Sequence, residues 1–104
     1  MSITVVATIT PLSEHKDAVR EAFLAAIPQV HAEDGCELYS LHENDDVFVM
    51  VEQWSSRETL AVHSTAAALR ELGPKIAGKT TGPADVVVLD QVPAGDPIKG
   101  RLTH

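Results

Sequence analysis

Residues 47–54 read Val-Phe-Val-Met-Val-Glu-Gln-Trp. Eight residues dominated by β-branched and aromatic side chains predict a strand. Period two puts Phe48, Met50, Glu52 and Trp54 on one face and Val47, Val49 and Val51 on the other. An antiparallel strand with one wet face should alternate apolar with polar. This one is apolar on both faces, so a layer must cover each of them.

Working outward gives the rest of the fold. Before it, Cys36–Glu43 alternates as a strand, joined through Asn44-Asp45-Asp46 as a hairpin that lacks the usual Gly. Asp34-Gly35 predicts a turn. Upstream, Ala18, Val19, Ala22, Phe23, Ala26, Ile27 and Val30 form one apolar stripe at helical spacing, from Glu14 to about Glu33. Ser13 is the expected N-cap. Pro28 lacks an N–H and should kink this helix or stop it early. Ile3–Thr10 is a further strand ending at Pro11.

Downstream, Ser55 and Glu58 have capping-box spacing and open a second helix. It runs to about Leu72, with a break near Ser64-Thr65, and Gly73-Pro74 should end it. Asp85–Val92 is the last strand. The order β-α-β-β-α-β is the split βαβ, ferredoxin-like arrangement: an α+β fold with four antiparallel strands and both helices on one face. Right-handed crossovers place the first and third strands at the centre. The expected domain is 1–92. Residues 93–104 carry two Pro and two Gly among few apolar anchors and form a tail. That tail is too short and polar to cover the second sheet face, although it could reach across a dimer. A second copy of the same face is the expected cover, so a homodimer is expected.

A chain of 104 residues is one domain with a thin core. Net charge is −7 and no Lys/Arg stripe offsets it, which argues against nucleic acid as a partner. No apolar run reaches the length of a membrane span. The N-terminus runs into a strand without a basic leader, so a cytoplasmic protein is expected. Cys36 stands alone, which excludes an internal disulfide and a redox dithiol. There is no Gly-rich phosphate loop, Rossmann fingerprint, nucleophile elbow or close metal spacing of histidines.

Few residues can carry chemistry. Glu52, inside an apolar run, must be paired or raised in pKa. It either positions the second helix or moves protons. Trp54 is a core filler, a flat wall for a planar ligand, or both. His63 lies in the second helix among Leu60, Ala61 and Ala67, toward the buried side. His31, at the end of the first helix, suits the macrodipole. Tyr39 needs a partner if buried.

Glu33-Asp34-Gly35-Cys36-Glu37-Leu38-Tyr39, Val51-Glu52-Gln53-Trp54 and His63-Ser64, taken together, resemble the antibiotic biosynthesis monooxygenase family. The likeness spans about residues 3–92. It is closest to the small stand-alone actinobacterial members, including the Val92–Pro97 tail. The resemblance implies a dimeric α+β barrel that oxygenates a phenolic, quinol or anthrone-like substrate with O₂ and uses no cofactor or metal. It implies His63 and Glu52 as catalytic residues, with Trp54, Tyr39, Met50 and Phe48 lining the substrate pocket. Two departures are visible. Polyketide-tailoring members have Asn where Met50 stands, and haem-degrading members have an Asn on the first strand where Ala7-Thr8 stands. The alternatives are therefore haem binding or degradation through His63, or a dimeric small-molecule-binding module without turnover. The family's phosphorylated-sugar isomerase has no counterpart here, since no basic phosphate site is evident.

Overall fold

A computed structural model of the chain describes residues 2–102. Strand β1 is Ile3–Ile9, and a short 3₁₀ turn at Ser13–His15 leads into helix α1, Lys16–His31. Strands β2, Cys36–Glu43, and β3, Phe48–Trp54, form a hairpin. Helix α2, Arg57–Ser64, and helix α3, Ala67–Ile76, follow, and β4 is Asp85–Asp90. All neighbours in the sheet are antiparallel, in the order β2-β3-β1-β4. The first and third strands are central, as the crossover rule requires.

Period two holds along β1 and β3. Ile3, Val5, Ala7 and Ile9 of β1 and Phe48, Met50, Glu52 and Trp54 of β3 are buried beneath the helices. Val19, Ala22, Phe23, Ala26 and Val30 of α1 and Ala68 and Leu72 of α3 meet them. The opposite face has cross-strand rows Ser40–Val51–Val6–Val87 and His42–Val49–Thr8–Asp85. Its apolar part is thus a patch of valines rimmed by polar groups. At one end of this face Gln53 is sealed. It donates to Glu37 Oε1 at 2.8 Å and accepts from Gln91 Nε2, while the Leu102 N–H donates to Gln91 Oε1. Strand β4 is exposed along its whole length.

The hairpin connection closes without Gly because the Asn44 side-chain carbonyl accepts from the Asp46 and Val47 amides. Four local expectations are corrected. Ser13 makes no side-chain cap; it opens the 3₁₀ turn instead. Pro28 does not stop α1 early, which continues to His31, and Pro74 lies inside α3. Both prolines are exposed, so the carbonyl each leaves unpaired can bond water. The capping box is one residue later than its spacing suggested. Ser56 is the N-cap, and Thr59, not Glu58, supplies the reciprocal bond through its hydroxyl. Among the described residues no helix is long and apolar enough to cross a membrane.

Candidate active site

The site forms where three backbone features converge. Helix α1 ends at His31, and Gly35, with φ +80°, turns the chain sharply into β2. The Ser55 amide donates to the Gly35 carbonyl at 2.9 Å. A Cβ at Gly35 would sit 2.5 Å from Thr59, so only glycine allows this approach. The turn therefore seats Glu33 beside α2, and α2 carries His63 over β3.

His63 is 5% exposed. Its Nδ1 lies 2.7 Å from Glu33 Oε1, and its Nε2 lies 3.9 Å from Glu52 Oε1. The first is a short hydrogen bond; the second is beyond hydrogen-bond range. Glu52 instead accepts the Trp54 indole N–H at 2.9 Å. The Trp54 and His63 rings are stacked with centroids 4.4 Å apart and planes tilted by 31°. Tyr39 meets the imidazole edge-on at 5.5 Å. An imidazole is thus held on four sides by two carboxylates and two aromatic rings.

Burial dominates the electrostatics. It raises Glu52 above the usual carboxylate range, although the indole bond and His63 pull the other way. Burial, reinforced by Glu52 and Glu33, also pushes the Tyr39 phenol well above its ordinary value. Cys36 is raised by the same causes, which keeps its thiol protonated.

A cavity of about 230 Å³ lies between sheet and helices. Tyr39, Met50, Glu52 and His63 line it, with Val5, Ala7, Leu60, Leu72 and Val86 among its apolar walls. Val86 is 55% exposed, so the cavity meets solvent on the β4 side. No Lys or Arg lines it. Two expected lining residues are elsewhere: Trp54 and Phe48 are fully buried and do not line the cavity. Strand alternation fixes a face but not a depth. Trp54 lies behind His63, and Phe48 is sealed against Phe23 and beneath the Arg20 guanidinium. His31 touches this cluster only from behind Tyr39: its ring meets the phenol edge-on at 6.5 Å and its Nε2 bonds the Tyr39 backbone carbonyl at 3.0 Å.

Sequence reasoning missed Glu33. One signal was available. Glu33-Asp34 puts two anions at the C-terminal end of a helix, where the macrodipole disfavours them. Such a placement calls for a local cation or proton donor, and His63 is that donor. Among the described residues no cluster of three or more His, Cys, Asp or Glu side chains could hold a metal.

Comparison with known proteins agrees with this fold. Residues 2–73 match the model of the family described as "Antibiotic biosynthesis monooxygenase". A protein of Mycobacterium tuberculosis named "Putative monooxygenase Rv0793" is 30% identical over 89 residues, covering 84% of this chain and 88% of its own length. The solved structure of Rv0793 superposes with a TM-score of 0.84 at 26% identity, over 92% of this chain and all of that one. A structure from Caulobacter crescentus shares the fold with a TM-score of 0.80 at 24% identity, over 88% of this chain and 90% of its own. With its family motif spanning both central strands and the His63 helix, the chain belongs to the antibiotic biosynthesis monooxygenase family.

Proposed function

We propose that the protein is a cofactor-independent monooxygenase acting on a small phenolic, quinol or anthrone-like aromatic compound, and that it works as a homodimer. The observation that carries this reading is the pairing of an apolar cavity with one buried imidazole at its wall. An imidazole with a bare ring nitrogen can act as a general base toward an acidic proton of the substrate. The substrate anion is then the reductant. Oxidation of a ring CH₂ to C=O releases four electrons, which is what O₂ requires. One oxygen atom enters the ring carbon and the other leaves as water, so no external reductant is needed. Apolar walls favour a planar aromatic ring and keep bulk water from the anion.

The cavity is smaller than the ~300–1,000 Å³ typical of ligand pockets. That favours a substrate of two or three rings over a tetracyclic one. It also speaks against the haem reading, since a porphyrin is larger still. The uncovered valine patch supports the dimer. The accessible surface of 6261 Å² exceeds by about a tenth the ~5,700 Å² usual for a monomer of this mass. The test is oxygen uptake with 1-naphthol or anthrone in metal-chelated buffer. Turnover to the quinone without added flavin or iron supports the proposal. A strict requirement for either refutes it.

A further inference from the structure

We infer that Glu33 is a positioning residue for His63 and the solvent-side end of its proton path. Nothing in the family motif assigns it this role, and the inference rests on His63 being the base proposed above. Glu33 Oε1 is 2.7 Å from Nδ1, while the other ring nitrogen has no hydrogen bond among the described residues. A carboxylate can only accept, so Nδ1 carries the proton and Nε2 keeps its lone pair. Nε2 lies on the Glu52 side, and Glu52 and His63 both line the cavity. The bare nitrogen is therefore the one available to a substrate.

Exposure sets the direction of the path. The side chain of Glu33 is 17% exposed, against 5% for His63 and 7% for Glu52. Of the two carboxylates beside the imidazole, Glu33 is the one in touch with water. A proton taken from substrate by Nε2 makes an imidazolium. Its Nδ1 proton then passes to the Glu33 carboxylate and from there to solvent, leaving the proton on Nε2. Nε2 gives that proton to the oxygen atom that departs as water while Glu33 returns one from solvent to Nδ1, which restores the starting tautomer. The groups facing His63 from the other elements are Glu52 and Trp54 on β3 and Tyr39 on β2. Burial raises Tyr39 and opposes ionisation of Glu52, so neither competes as the anion that holds Nδ1.

The first test needs no substrate. Nitrogen-15 NMR of the intact protein at pH 8 reads the tautomer of His63 directly. The expected spectrum has a pyrrole-type Nδ1 and a pyridine-type Nε2. The reverse pattern, with the proton on Nε2, overturns the inference. Glu33→Gln is isosteric and should erode this preference, because its amide can donate as well as accept. With a working substrate, Glu33→Gln should lower kcat by roughly ten- to a hundredfold with a smaller change in KM, and Glu33→Asp should restore part of it. An unchanged tautomer together with unchanged kcat in Glu33→Gln would also overturn it. If no substrate is found, the NMR result still decides the positioning claim, so failure of the catalytic reading and failure of this one are distinguishable.

Discussion

At the scale of single residues the site is a buried imidazole between two unlike carboxylates. His63→Ala should lower kcat by roughly 10²–10⁴, the usual worth of general acid–base catalysis, with the fold retained by circular dichroism. Trp54→Ala is a poorer probe. It removes a fully buried ring and leaves Glu52 without its donor, so it should cost about 3–5 kcal/mol in urea unfolding. Glu52 makes a linkage prediction. Its folded pKa is raised, so the folded state holds its proton to higher pH than the unfolded chain does. Stability from this group is therefore greatest at acid pH and falls as pH rises from the ordinary carboxylate range through the raised value. Glu52→Gln keeps an acceptor for the indole and removes the ionisation. Its unfolding midpoint should exceed that of the wild type at pH 8, and the gain should shrink at pH 4.5. A gain that grows toward acid would reverse the sign. The residue types of this site were legible in the chain, because a carboxylate in a valine run and a histidine among alanines are both conspicuous. Their partners were not. Glu33 is thirty residues from His63, and only the Gly35 turn brings them together.

At the scale of elements, period and composition decided most of the fold. The doubly apolar Val47–Trp54 run marked the buried strand, and the right-handed crossover rule placed Ile3–Thr10 beside it at the centre. The break after Ser64 was legible because Ser-Thr weakens a helix that has just ended its apolar stripe. What pattern could not reach was competition between near-equal local solutions. Ser55 and Ser56 are adjacent, and Thr59 offers the hydroxyl that settles the cap one residue later. Gly73-Pro74 reads as a stop, yet exposure lets α3 continue through it. The turn at Gly35 is the element on which the site depends. Gly35→Ala forces a left-handed φ on alanine and a collision with Thr59, so it should cost roughly 1–3 kcal/mol by urea unfolding. It should also depress kcat by displacing Glu33 from His63. Full activity with wild-type stability would show that the turn is not what seats the site.

At the scale of the whole molecule, one sheet face is covered by helices and the other ends in valines. Light scattering at micromolar concentration should give about twice the 11.1 kDa chain mass. Val6→Asp places a charge in the middle of the Val51–Val6–Val87 row and should return a folded monomer. A wild-type monomer would remove the need for a second copy. Truncation after Val92 should leave a folded domain, since the tail's visible anchor is the Leu102–Gln91 bond. The most direct test of the central claim joins cavity, imidazole and oxygen in one experiment. Wild type and His63→Ala are given 1-naphthol and ¹⁸O₂ in metal-chelated buffer, with oxygen uptake followed and the quinone analysed by mass. The expected result is one labelled oxygen in the quinone, made by the wild type without added cofactor, and a rate roughly 10²–10⁴ lower in His63→Ala. Equal rates in the two proteins, or label absent from the quinone, would contradict it.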